Sequence, residues 1–360
     1  MSGNFASISI EYLHAGLVLQ EDIYNYNGTI LMLPKGNTLT DVMIEQLKKF
    51  NNSQKTIRVS RKFYEKLLEA GMPKKFKQAY LEDQIKYTEI KEETKKILKL
   101  AEITSRVPYE QVCDINELLT ERLELTEPAL LFQCINGHNE VDEYLYRHSV
   151  NVGIINGLMG KWLGLTSEDI SNLTLLGLVH DVGKTKIPSN ILNSPNKLTD
   201  KEFDTIKRHT VYSYEILLND KKFDLRISEA ARRHHEKMNG TGYPDALSAE
   251  EIPLYARITA ISDVYDAMVS RRSYKEAQSP FVILKQMQEE RFWGLDIRLV
   301  NLFAEMMPRE LLGQSVLMSD GTVGTVKHVG DLNMDYPIVE IDGEVKTTNR
   351  DFYCVSMVID

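Results

Sequence analysis

Cysteine is nearly missing from this chain. Its 360 residues hold three, Cys113, Cys134 and Cys354, with no CxxC pair among them. That excludes a disulfide framework and a thiolate metal site, and reads as reduced thiols of a cytoplasmic protein. A surplus of positive charge is missing too. Lys and Arg number 43 against 52 Asp and Glu, a net charge of -9. Broad binding to a large nucleic acid needs many cations and is therefore excluded. A small phosphate ligand is not, because metal ions and a few local cations can reverse the field inside one pocket. No apolar run approaches the roughly 20 residues that cross a bilayer, so no membrane insertion is expected. The first residues, Met1 to Phe5, lack the basic-then-apolar order of a signal peptide. No internal repeat or low-complexity tract stands out.

What is present is the composition of a soluble globular chain, 42% apolar and 26% charged. The length suggests two or three domains. Residues 1–62 read as a small α/β domain. Its strand-like runs surround an Asn27-Gly28 turn, a helical pattern starts at Thr40, and strand character returns over 55–60. Residues 63–112 interleave Lys and Glu, with apolar positions too sparse for a coiled coil. This predicts a solvated helical connector, with a homodimer contact through it as a further expectation. Residues 113–311 carry 3.6-period apolar patterns and should be nearly all helix. Residues 312–360 hold short strand runs punctuated by Asp320-Gly321 and Asp342-Gly343, the pattern of a small β-barrel-like domain. The fold class expected is mainly α, an all-helical core between a small α/β unit and a small β-rich unit.

The informative feature of the helical third is where its histidines and aspartates lie. His180-Asp181 and His234-His235 are doublets. Neighbours on a helix point about 100° apart, so a doublet converges on one point only at a helix end or break. Each has a break beside it, at Gly183 for the first and at Gly240 and Gly242 for the second. A lone histidine on an apolar helix is more often a core residue with one hydrogen bond. Two doublets at chain breaks, with His148, His209 and Asp263 on the same stretch, are instead the pattern of a metal cluster.

These residues carry a family resemblance. Tyr146 and His148, then His180-Asp181 with Gly183 and Lys184, then His209, then His234-His235-Glu236 with Gly242-Tyr243-Pro244, then Asp263 and Asp266, occur in unbroken order over about 120–310. In this the segment resembles the HD-GYP phosphodiesterases, a branch of the HD superfamily. The resemblance implies an all-helical HD-GYP core and hydrolysis of cyclic di-GMP as a small-molecule substrate. It also implies two divalent transition-metal ions, iron first, with Mn, Zn or Ni as alternatives; mixed imidazole and carboxylate ligation suits all four. One ion would take His148, His180, Asp181 and Asp263, and the other His209, His234 and His235, with Asp181 bridging. Such a pair lowers the pKa of a shared water and clamps the phosphoryl oxygens. Lys184 would stabilise developing charge or assist the leaving oxygen, as a catalytic partner of Asp181. Tyr243, Arg272 and Lys275 would hold substrate, the last two at phosphate. Asp266 reads as an orienting partner rather than a ligand.

One position departs from the pattern. Where some members carry a glutamate four residues before the first histidine, for a third metal, this chain has Tyr144, with Glu143 rotated off that face. Two ions are therefore expected. An HD hydrolase of another cyclic dinucleotide or nucleotide, and a non-catalytic cyclic di-GMP receptor, are the competing readings. Retention of all seven ligand residues weighs against the receptor.

Overall fold

The computed structural model describes residues 5–9, 19, 21–24, 31–37, 39–40, 43–44, 47, 56–60, 74–137, 144–192, 194, 198–270, 279–289, 294–320, 322–330 and 334–357. It divides into two compact units, residues 1–85 with 360, and residues 86–359. In the first, β1 (Phe5–Ser9) pairs antiparallel with β4 (Thr56–Ser60), Ile8 opposite Ile57. β2 (Ile23–Tyr24) pairs with β3 (Leu31–Leu33). Leu19, Ile23, Leu39, Ile44 and Leu47 form its buried core. The Asn27-Gly28 turn lies outside the described residues.

The charge-rich segment yields a 31-residue helix, α1 (Lys74–Thr104). The expectation of a solvated helix is corrected over its second half. Tyr87, Ile90, Thr94, Ile97, Leu98 and Ala101 are all buried. Their spacing of three and four residues makes one face of a helix, and Lys and Glu predominate on the rest, with Leu100 and Ile103 exposed among them.

The second unit is chiefly helical. After α1 come α2 (Tyr109–Leu125), α3 (Pro128–Gly137), α4 (Tyr144–Trp162) and α5 (Ser167–Val179). A 3₁₀ turn, Val182–Lys186, leads to the short α6 (Ser189–Leu192), α7 (Asp200–Lys207) and α8 (His209–Leu218). Then follow α9 (Leu225–Arg233), α10 (Leu254–Ser270), α11 (Pro280–Gln288) and α12 (Ile297–Glu310). Phe132, Trp162, Tyr265 and Phe303 stack and tilt against one another at centroid distances of 5.0–6.4 Å, tying α3, α4, α10 and α12 into one core.

One contact does most to position the site. Where α4 crosses α5, a Cβ on Gly177 would stand 2.3 Å from the Gly153 Cα, so no side chain fits between the two backbones. The close crossing sets His148 on α4 beside His180 at the end of α5.

The C-terminal part is a five-stranded antiparallel sheet of order β8-β7-β6-β5-β9, formed by β5 (Ser315–Met318), β6 (Val323–His328), β7 (Ile338–Ile341), β8 (Glu344–Thr347) and β9 (Cys354–Met357). Val316, Val326, Val339 and Ile341 point inward. The Asp342-Gly343 turn joins β7 to β8, with Ile341 opposite Glu344. Among the described residues the outer strands β8 and β9 do not pair with each other. The protein is thus mainly α, and among the described residues its strands lie within the first 60 residues and after residue 314.

Candidate metal centre

The histidine doublets sit at helix ends. His180 is the C-terminal cap of α5 and Asp181 follows it at φ -101°, outside the helix. His234 caps α9 in the same way, and His235 follows. His209 opens α8 directly after the Arg208 cap of α7. His148 comes from the first turns of α4, and Asp263 from the middle of α10. Each chain break therefore turns two polar side chains into the same space.

Gly183 makes the first break possible. A Cβ there would lie 2.0 Å from the His209 carbonyl oxygen and 2.4 Å from the Ser213 nitrogen. Its N–H donates to the Ser213 hydroxyl at 2.9 Å. With no side chain in the way, the 3₁₀ turn lies against the start of α8, and Asp181 Oδ1 comes within 3.2 Å of His209 Nε2.

The two oxygens of Asp181 face different histidines. Oδ2 lies 3.4 Å from His148 Nε2 and 3.3 Å from His180 Nε2. Oδ1 lies 3.2 Å from His209 Nε2 and 3.8 Å from His234 Nε2. Asp263 Oδ1 is 3.1 Å from His148 Nε2, and its Oδ2 is 3.8 Å from His235 Nδ1. Potential ligand atoms of His148, His180 and Asp263 all fall within 4.8 Å of one another, as do those of His209, His234 and His235, and those of His180, Asp181 and His234.

The other ring nitrogens decide what these contacts mean. His180, His209 and His234 place Nδ1 on the carbonyl oxygens of Gly177, Ile206 and Ala231 at 2.7–2.8 Å. A carbonyl only accepts, so each Nδ1 carries the hydrogen, and it is the Nε2 of the neutral ring that offers a lone pair. His148 Nδ1 similarly donates to Asp266 Oδ2 at 2.7 Å. Lone pairs facing carboxylate oxygens across 3.1–3.4 Å repel unless a cation lies between them. Protonating the imidazoles is one remedy, but at His234 and His235 the protein resists it. Burial, then the neighbouring His235 and His180, hold the pKa of His234 well below its ordinary value, and burial lowers that of His235 to about 3. The Nε2 atoms of His180, His209 and His234, and Asp181 Oδ1, are buried without a hydrogen-bond partner among the described residues. A divalent metal satisfies all of them at once, so the donor set fits metal ions.

The carboxylates are kept charged. Burial opposes the charge on Asp181, but the Lys184 ammonium beside it prevails and holds its carboxyl well below the usual range. Asp263 is held low in the same sense, against the opposing effect of burial.

The comparisons with known proteins agree with this geometry. The family model described as HD domain matches residues 137–296. This segment of the chain carries an HD domain. It is 35% identical over 187 residues to the cyclic di-GMP phosphodiesterase PA4108 of Pseudomonas aeruginosa, covering 51% of this chain and 44% of that one. It is 29% identical over 218 residues to the 3'3'-cGAMP-specific phosphodiesterase 2 of Vibrio cholerae, covering 60% of this chain and 41% of that one. The chain thus spans less than half the length of these curated relatives. Among solved structures, Bd1817, an HDG"Y"P protein from Bdellovibrio bacteriovorus, superposes with a TM-score of 0.56 at 16% identity, covering 84% of this chain and 99% of that one. At that identity the likeness speaks for the fold alone.

Within the HD domain the remaining expected site residues divide into two groups. Lys184, on the 3₁₀ turn, pairs its Nζ with Asp181 Oδ2. Tyr243 lies over His235, ring centroids 4.8 Å apart and 30° between planes. Arg272, Lys275 and Glu143 lie outside the described residues, as does the Tyr144 side chain, although Tyr144 opens α4 one turn before His148. Sequence reasoning missed three contributors. Glu236 is buried and accepts from the backbone N–H groups of Asp245 and Leu247 at 2.6 and 3.0 Å, bracing the loop that carries Tyr243. Lys207 brings its ammonium within 5.9 Å of the Tyr243 ring centroid. Asn151, one turn after His148, donates to Asp266.

Proposed function

We propose that this chain is a metal-dependent phosphodiesterase that opens cyclic di-GMP to linear pGpG on a dinuclear His/Asp centre in the cytoplasm. The observation that carries the reading is Asp181, whose two oxygens face two separate pairs of imidazole Nε2 atoms. In this reading His148, His180 and Asp263 serve one ion and His209, His234 and His235 the other, with Asp181 shared. Iron is the first expectation, with Mn, Zn or Ni as alternatives. Bound divalent ions would supply charge to the phosphoryl oxygens and a more acidic water.

The chain's own groups would do the rest. A water oxygen attacks phosphorus, the bond from phosphorus to a ribose 3′ oxygen breaks, and that oxygen takes a proton to leave a 3′ hydroxyl and a 5′ phosphate. Lys184, close to Asp181, is placed to stabilise the charge on the departing oxygen. Asp181 is held ionised, so it acts as a ligand and not as the acid. Tyr243 would offer its ring and hydroxyl to the substrate, and Arg272 and Lys275 would hold its phosphates. No described helix is long and apolar enough to cross a membrane. Self-association through residues 63–112 belongs to the same proposal, and sedimentation at two concentrations tests it.

A second reading keeps the chemistry and changes the base. Relatives named for 3'3'-cGAMP align over as much of this chain as those named for cyclic di-GMP. Metal-loaded protein incubated separately with the two cyclic dinucleotides, with products separated by chromatography, decides between them. Faster loss of cyclic di-GMP with pGpG as product supports the first reading. Faster loss of 3'3'-cGAMP supports the second, and loss of neither refutes both.

A further inference from the structure

His148 ends a buried chain of hydrogen bonds that begins outside the HD domain. The Tyr87 hydroxyl, on α1, donates to Asn151 Oδ1 at 2.6 Å. Asn151 Nδ2 donates to Asp266 Oδ1 at 2.6 Å. Asp266 Oδ2 accepts from His148 Nδ1 at 2.7 Å. Tyr87, Asn151 and Asp266 have no exposed surface, and His148 has 1%. Tyr87 precedes the HD match, which starts at residue 137.

We propose that Tyr87 is a positioning residue for the metal centre, acting through Asn151 and Asp266 on His148. This rests on the metal centre proposed above.

The chemistry runs in one direction. A primary amide can turn by 180° and exchange its oxygen for its nitrogen. Turned that way, Asn151 would set its oxygen against the Asp266 carboxylate, two acceptors face to face. Asp266, which only accepts, opposes the turn, and the Tyr87 hydroxyl satisfies the buried amide oxygen left on the far side and so anchors the side chain in that orientation. Asp266, held at one oxygen, keeps the other on His148 Nδ1. That fixes both the ring and the tautomer, and leaves Nε2 as a lone-pair donor facing Asp181 and Asp263. Arg122, its guanidinium 5.3 Å from the Tyr87 ring centroid, packs over the ring and helps to hold it. The segment of the chain before the HD domain therefore completes the outer support of one metal ligand.

The test measures metal affinity rather than turnover. Mn²⁺ is titrated into metal-free full-length protein, and free Mn²⁺ is read by electron paramagnetic resonance. Tyr87→Phe should weaken Mn²⁺ binding about fivefold, what one net buried hydrogen bond carries. Thr94→Val is the control. It removes another buried hydroxyl of α1, bonded to the Ile90 carbonyl at 2.8 Å, and should leave Mn²⁺ affinity unchanged. Asn151→Ala should weaken binding by itself, and in that background Tyr87→Phe should cost nothing further, because the route is already cut. Wild-type affinity in Tyr87→Phe, equal loss in Thr94→Val, or full additivity with Asn151→Ala would each overturn the inference. Should Tyr87→Phe not fold, wild-type affinity in Asn151→Ala overturns it alone. Wild-type protein that binds no Mn²⁺ would instead bring down the metal centre itself, and this inference with it.

Discussion

Replacing Asp181 by asparagine keeps the size and shape of the side chain and removes the charge that both halves of the cluster face. In the folded protein each oxygen lies 3.2–3.8 Å from two imidazole nitrogens. The amide offers one carbonyl oxygen in place of two, and its N–H₂ points donors where a cation should sit. Structural zinc sites with about four ligands bind with roughly 10–16 kcal/mol, so one ligand is worth about 3 kcal/mol. The loss is then roughly a hundredfold in affinity for the ion that keeps no oxygen. Removing one ion of a pair forfeits several kcal/mol of charge stabilisation, about a thousandfold in turnover. The fold should survive, because the asparagine no longer has to be buried as an anion and Lys184 can turn toward solvent. The assay is metal analysis after anaerobic purification, with far-ultraviolet circular dichroism and product chromatography on the same sample. Two ions retained per chain, with turnover within tenfold of wild type, would refute the reasoning. His180→Ala should behave alike.

Three further outcomes follow from particular contacts. Gly183→Ala should destabilise the fold by the ~1–3 kcal/mol of an overpacked site, seen as a lower Tm, and strip metal, since its Cβ would sit 2.0 Å from the His209 carbonyl oxygen; a melt and a metal count at wild-type values would contradict this. The metal-free protein should lose stability as pH falls from 7 to 5. His234 and His235 take up protons when unfolded, near pH 6.5, but resist them when folded, where His235 titrates at about 3, so each contributes at most roughly 1.4 kcal/mol per pH unit. The depressed carboxylates add little in that window, because their contribution is lost only below about pH 4. A Tm that is flat between pH 7 and 5 would contradict the neutral histidines. Arg272→Ala should leave metal content unchanged and weaken substrate binding by ~1.5–3 kcal/mol; unchanged kinetics would return Arg272 to an ordinary surface cation.

How much of this was legible in the sequence depended on whether a residue's task left a local pattern. The doublets His180-Asp181 and His234-His235 were legible because adjacent residues cannot share a helix face, and the structure sets each at a helix end. The Asp342-Gly343 hairpin was legible from its turn residues. β8 was not, because Glu344–Thr347 is exposed throughout and shows no apolar alternation. The buried face of α1 was hidden by composition. Lys and Glu between Tyr87, Ile90, Ile97 and Ala101 make the average look solvated, while the packing depends on every third or fourth residue. Tyr87 and Asn151 were invisible for another reason. Their partners lie 64 and 115 residues further along the chain, and nothing local marks a hydrogen bond at that distance. Glu236 was quoted within the motif, but its hold on the loop carrying Tyr243 depends on backbone N–H groups nine and eleven residues on.

The central claim is that this buried cluster holds two metal ions that share Asp181, and anomalous diffraction tests it most directly. Crystals of anaerobically purified protein, measured on both sides of the absorption edge of the bound metal, should give two anomalous peaks per chain. One should lie among His148, His180 and Asp263, the other among His209, His234 and His235, each in contact with one oxygen of Asp181. A single peak, a pair away from Asp181, or a third peak beside Tyr144 would contradict the account.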